Sequence, residues 1–143
     1  MIQLTPHFSL AELTVTDHRT LDNTPNGEEI ANLTRLADFL EIVKRTLGGK
    51  PIMVNSAFRS KAVNDAVGSK DTSQHRVGCA ADIRVPGMTP DEVVRAIMDA
   101  QLPFDQIIRE FDAWTHISVV SNLGVFPRRQ ALIIDRSGTR AFV

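Results

Sequence analysis

Cysteine is nearly absent from this chain. A single residue, Cys79, among 143 rules out an internal disulfide. An excess of charge of one sign is missing too: 16 Lys and Arg stand against 17 Asp and Glu, for a net charge of −1. That balance gives no electrostatic footprint for nucleic acid or an anionic membrane surface. No apolar run approaches the length needed to cross a bilayer, so no membrane insertion is expected. The N-terminal residues Met1 to Pro6 carry no basic region followed by an apolar one. No secretory signal is therefore expected, and a chain made in the cytoplasm would reach an outside target by another route. Internal repeats, low-complexity stretches and linkers are lacking, so residues 1–143 are expected to form one domain; a monomer is the expectation, although nothing in the sequence fixes the oligomeric state. A nucleophile-elbow pattern is also lacking, and Cys79 lies among small apolar residues, which argues against a Ser or Cys nucleophile. What remains is ordinary: 43% apolar and 23% charged residues, a soluble globular composition able to bury roughly two thirds of the unfolded surface.

Local patterns divide the chain. Phe8 to Leu13 reads as a short helix with Ser9 as cap and Glu12 completing a capping box. The turn residues Asp22 to Gly27 lead into the longest helix, Glu28 to Leu47, whose Ile30, Leu33, Leu36, Ala37, Leu40, Val43 and Leu47 form one apolar stripe. Gly48-Gly49 stops it. Residues 1–27 are expected to pack on the body as an N-terminal segment. Pro51 to Phe58 reads as a strand and Ser60 to Val67 as a short helix. Thr89-Pro90-Asp91-Glu92 opens another helix, with a cap, Pro at its first position and acids in its first turn. Phe104–Glu110 and Trp114–Val120 read as a hairpin, and Ala131–Ile134 as a last strand. Helices followed by mostly antiparallel strands predict an α+β fold, a small antiparallel sheet with helices packed on it.

The chemistry concentrates later. His75 follows a polar run, Lys70 to Gln74, with neither helical nor strand period, and so reads as loop. Asp82 follows Gly78 and three small residues and leads into the short strand Ile83-Arg84-Val85. A carboxylate among apolar residues is costly to bury unless neutralised, by a cation such as Arg59 or Arg84 or by a metal. On the strand Trp114–Val120 lies His116. Two imidazoles and one carboxylate, with a position left to water, is a usual catalytic zinc site, although this donor set does not exclude other divalent ions. Read alone, His75 fits equally a loop histidine bonded to backbone. Hydrolysis also needs a base for water; Glu110 and Asp112 are the candidates, and Asp112 reads more simply as a turn residue. Arg59, at a strand end, is either a surface arginine or a group holding an oxyanion or carboxylate. Trp114 shares a strand face with His116 and is placed to line a pocket. Ser73, Ser118 and Gln106 are candidates to hydrogen-bond ligands or substrate. His7 and His18 are not expected to bind metal, and Cys79 is expected to be a small buried residue.

The run Ser73-x-His75-x-x-Gly78-x-Ala80-x-Asp82, followed by Trp114-x-His116-x-Ser118, resembles the M15 family of zinc peptidases, the D-Ala-D-Ala carboxypeptidase and murein endopeptidase group. The likeness extends upstream through His7–Leu13, Asp22–Pro25, Ser56–Ser60 and Val63–Gly68, and is strongest to the compact phage and prophage branch. It implies a Hedgehog/DD-peptidase-like fold, one Zn²⁺ on His75, Asp82 and His116, and a peptidoglycan stem peptide as substrate. It also implies Glu110 as base, since that branch resembles Glu-x₅-His, and Arg59 as the group facing the substrate oxygen. An endolysin-type role, acting on the wall at host lysis or from a virion, goes with that branch. Many members carry an acid three residues before the last histidine; here that position is Ala113. The alternative implied by this departure is a non-catalytic, metal-binding module with a structural or wall-binding role. Carboxypeptidase, D,D-endopeptidase and L-Ala-D-Glu peptidase all remain open.

Overall fold

Side-chain caps start the helices where the sequence places them. Ser9 and Glu12 form a reciprocal capping box on α1 (Leu10–Leu13), just after the short strands β1 (Gln3–Thr5) and β2 (Phe8–Ser9). A second box starts α2 (Gly27–Thr46), where Asn26 and Glu29 each accept the other's backbone N–H at 2.8 Å. The cap thus lies in the expected turn, and the helix begins at Gly27, one residue before the expected Glu28. Thr89 and Glu92 form the third box, with Pro90 as first residue of α4 (Pro90–Asp99). Replacing such a cap by Ala costs about 1 kcal/mol.

The computed structural model describes residues 2–143 and is α+β. Its main sheet contains β3 (Met53–Ser56), β4 (Ala80–Arg84), β5 (Gln106–Glu110), β6 (Trp114–Ser118), β7 (Gln130–Asp135) and β8 (Gly138–Ala141). The strand order is β3-β4-β6-β5-β7-β8. All neighbours are antiparallel except β5 and β7, so the sheet is mixed and larger than the small antiparallel one expected. The expected last strand is followed by β8, whose Gly-Thr-Arg-Ala sequence is exposed throughout and carries no apolar alternation to reveal it.

Alternation sets the two faces of the sheet. Ala81, Ile83, Ile107 and Ile117 join Leu33, Leu36, Leu40 and Val43 of α2 and Val93, Val94 and Ile97 of α4 in one buried core. The opposite face carries Asp82 and His116, paired directly across the β4–β6 ladder, and Glu110 opposite Trp114 across β5–β6. Over this polar face run α3 (Lys61–Ala66) and a 3₁₀ turn, Gln74–Val77. His75 therefore sits on a helical turn rather than in the loop its polar run suggests. The N-terminal segment is tied to the body through Phe58 N donating to Leu13 O, and Asn23 donating to Thr14 O and Phe58 O.

Candidate metal centre and cleft

Strand register brings the first two expected ligands together. Asp82 and His116 are antiparallel partners, and Oδ1 of Asp82 lies 3.0 Å from His116 Nδ1. The third ligand arrives on the 3₁₀ turn. Ser73 caps this turn by accepting His75 N at 3.3 Å, and Gly78 closes it in a left-handed conformation, φ +83°. A Cβ at Gly78 would stand 2.9 Å from Glu29 O and 3.1 Å from Leu33 Cγ, so only glycine lets the turn dock on α2 in this way. His75 is buried, with Nε2 3.4 Å from Asp82 Oδ1.

One hydrogen bond decides the tautomer of His75. Its Nδ1 is 2.7 Å from Ala57 O, and a carbonyl can only accept. Nδ1 therefore carries the proton, and the Nε2 lone pair faces the carboxylate, the arrangement usual for a metal-ligating histidine. One donor atom from each of His75, Asp82 and His116 lies within 4.8 Å of the others. Donors at the corners of a tetrahedron with bonds of about 2.0–2.1 Å stand roughly 3.3–3.4 Å apart. The two spacings from Asp82 Oδ1, 3.0 Å to His116 and 3.4 Å to His75, are close to that, and an N,N,O set suits Zn²⁺ and comparable divalent ions. The residues fit a metal.

Asp82 meets both kinds of partner that the sequence left open. Its Oδ1 faces the imidazoles, while its Oδ2 is 3.6 Å from Arg59 Nη2. Arg84 instead turns to Asn55, at 3.3 Å. Burial would push the Asp82 carboxyl up, but the hydrogen bond from His116 and the closeness of the two imidazoles outweigh it and hold the group well below the usual range. Arg59 is fixed by its own backbone, whose N–H donates to His75 O at 2.9 Å.

These groups line a cleft of about 410 Å³ with Glu110, Trp114, Ser73, Val67, Gly68 and Ser69. Glu110 is raised above its ordinary value, by burial first and then by the negative charge of Asp82, against the opposing pull of His116 and Arg59. A carboxylate so raised beside metal ligands has the character of a proton acceptor. Asp112 lies elsewhere: exposed, in a left-handed conformation, its Oδ1 3.1 Å from Arg109 Nε. The structure brings Glu110, not Asp112, to the ligands. Trp114 forms cleft wall as expected; its ring packs on Phe111 at 6.1 Å, and its Nε1 is buried without a partner among the described residues.

Two other expected site residues do not reach the cleft. Ser118 is fully buried and its Oγ accepts Gln106 N at 3.1 Å, while Gln106 Nε2 donates to Gln130 Oε1 at 2.7 Å. Both lie further along the ladder, where Gln106 pairs with Ser118 as Glu110 pairs with Trp114. The residues that sequence reasoning missed are the opposite wall. Gly68 ends α3 at φ +76°, and buried Asn64 donates to Lys70 O at 2.9 Å, folding Gly68 and Ser69 back over the cleft. A glycine just past a short helix was the available signal. His7 is half exposed and bonded to Glu41, remote from these ligands. Cys79 is buried, as expected.

Comparison with known proteins agrees with this geometry. A zinc D-Ala-D-Ala carboxypeptidase of Streptomyces albus G is 43% identical over 44 residues, 31% of this chain and 17% of that relative. The chain thus aligns with under a fifth of the length of that curated relative. A family model described as Peptidase M15 matches residues 6–118, which hold all three candidate ligands, Arg59 and Glu110, and the chain belongs to the peptidase M15 family.

Proposed function

We propose that this protein is a zinc-dependent peptidase that hydrolyses amide bonds in peptidoglycan stem peptides. The observation that carries the reading is the convergence of His75, Asp82 and His116 beside a half-buried carboxylate whose affinity for protons is raised. The likeness to the Streptomyces zinc D-Ala-D-Ala carboxypeptidase and the family membership support zinc as the ion and murein as the substrate.

Zinc held there would polarise an amide carbonyl and lower the pKa of water to about 7. The chain's own residues do the rest. Glu110 takes a proton from the attacking water and delivers it to the departing amine. Arg59, on the Oδ2 side of Asp82, holds the carbonyl oxygen as charge develops or pairs with a terminal carboxylate. Ala57 O keeps His75 in the ligating tautomer, and Ser73 keeps the turn that carries it. Trp114 and the Val67–Ser69 wall confine the peptide.

A D-Ala-D-Ala carboxypeptidase and an endopeptidase both fit this cleft. The phage-type motifs favour an endolysin-like enzyme, made in the cytoplasm and acting on the wall at lysis or from a virion. A metal-binding module without catalysis is the competing reading, raised by Ala113. The position of Glu110 among the ligands speaks against it, since the base is supplied from a different place in the sequence.

The test is elemental analysis of wild type and His116→Ala, followed by digestion of purified peptidoglycan and of defined stem peptides. About one zinc per chain, lost in the variant, with release of peptide fragments, is expected. Bound zinc without fragments from any peptidoglycan type would leave the non-catalytic module standing.

A further inference from the structure

Asp105 is a buried carboxylate that the hydrolytic scheme does not use. It lies just before β5, 5% exposed, and Arg128 grips it from one side. The Arg128 backbone N–H donates to Oδ1 at 2.9 Å and its Nη2 to Oδ2 at 2.8 Å, with Nε 3.2 Å from both oxygens. From the other side Gln74 Nε2 donates to Oδ2 at 3.0 Å. The same amide nitrogen reaches Val119 O at 3.0 Å and Ser121 Oγ at 3.3 Å. Gln74 is the first residue of the 3₁₀ turn, and its backbone O accepts Cys79 N at 3.0 Å, closing the loop that separates His75 from β4.

The first two residues of the turn are therefore each held from outside it. Ala57 O fixes the imidazole itself, and Gln74 fixes the backbone immediately before it to the far end of the sheet. Charge-assisted and bidentate bonds of the Arg128–Asp105 kind are geometrically specific, and the carboxylate end of this one is buried. Arg128 lies beyond residue 118, where the family match ends. Asp105 and Gln74 lie inside that match, and the arginine that grips Asp105 comes from beyond it.

We propose that Asp105 is a positioning residue for the metal centre: clamped by Arg128, it holds Gln74 and so sets where His75 presents Nε2. The proposal rests on His75, Asp82 and His116 binding a metal. Outer partners that orient a ligating histidine typically contribute 10–100-fold to metal affinity. Here the partner acts on the ligand's backbone rather than on its ring, which puts the expected effect near the lower end.

The experiment measures the zinc dissociation constant by chelator competition, and the Co²⁺ absorption spectrum, for intact wild type, Gln74→Ala, Arg128→Ala and Glu41→Gln. Glu41 also anchors a buried polar cluster but lies away from the ligands, so its variant controls for lost stability alone. Expected are about 10-fold weaker zinc binding and an altered Co²⁺ spectrum for Gln74→Ala, and a smaller shift in the same direction for Arg128→Ala. Glu41→Gln should bind like wild type. Arg128 is 55% exposed in its side chain, so its variant remains informative if Gln74→Ala does not fold. Zinc affinity within twofold of wild type in Gln74→Ala, or in Arg128→Ala where Gln74→Ala does not fold, would overturn the proposal. Equal weakening in Glu41→Gln would do so too. Failure of wild type to bind zinc would instead overturn the metal centre itself, and the positioning role with it.

Discussion

Two buried carboxylates in this molecule meet histidine, and they are built for opposite ends. Glu41, on α2, is saturated by donors. Thr5 Oγ1 and His7 N donate to its Oε2 at 2.8 and 2.7 Å, and His7 Nδ1 lies 2.7 Å from Oε1. Asp82 has no backbone donor among its described hydrogen bonds, only two imidazoles on one oxygen and a guanidinium at 3.6 Å from the other. One of those imidazoles has its only proton committed to Ala57 O, so it offers Asp82 a lone pair instead of a donor. The lesson is that satisfaction, more than burial, separates a structural carboxylate from a chemical one. Glu41 closes a latch between the N-terminal strands and α2, whereas Asp82 is left with lone pairs converging with those of its neighbours.

The largest effect should come from Asp82→Asn. Removing a ligand's charge should weaken zinc by more than the 10–100-fold typical of an outer partner, and peptide hydrolysis should vanish with the metal. Isothermal titration with zinc decides it; retention of wild-type affinity would mean that Asp82 is as structural as Glu41, and the contrast would collapse. Next is Glu110→Gln, which should keep zinc and the fold while lowering kcat on a stem peptide by about 10²–10⁴-fold. Asp112→Asn should change kcat less than twofold, because Asn tolerates the left-handed backbone and can still accept from Arg109. The reverse ranking would move the base to Asp112.

Asp82 and His116 were legible because each lies on a pattern that local rules control. Alternation along Trp114–Val120 fixes the face of His116, and Gly78 with small residues after it marks a tight approach before Asp82. Antiparallel pairing then does what no local rule states, setting Asp82 opposite His116. The helices were legible for a similar reason, since caps and stripes are contained within a few residues. The 3₁₀ turn at His75 was not, because Lys70 to Gln74 has no period and the turn is held by distant groups, Ala57 O and Asp105. Ser118 and Gln106 share the site's face by alternation, yet distance along the strand takes them out of the cleft. The parallel pairing of β7 with β5 and the exposed strand β8 depend on tertiary contacts that no hydrophobic pattern announces.

On the structural side of the contrast, Glu41→Gln should lower stability by about 1–3 kcal/mol, read from urea unfolding, with zinc affinity unchanged. The amide nitrogen of Gln would have to face one of three donors, and a buried donor without an acceptor carries that cost.

The smallest effect sharpens the same point through pH. Burial pushes the Glu41 carboxyl up, but the bonds from His7 and Thr5 outweigh it and leave the group below its ordinary value. A carboxyl lowered in the folded state binds fewer protons there than in the unfolded chain. Its contribution is therefore complete above the unfolded value and drains away as pH falls through the folded one. Wild type should lose its advantage over Glu41→Gln gradually below about pH 4.5, the ordinary value of the group, and hold it constant at neutral pH. Urea unfolding of the two metal-free proteins from pH 7 to pH 3 checks this, since every other carboxyl, Asp82 included, is common to both. Parallel curves across the range would show that the Glu41 charge is not what closes the N-terminal latch, and that its hydrogen bonds alone distinguish it from Asp82.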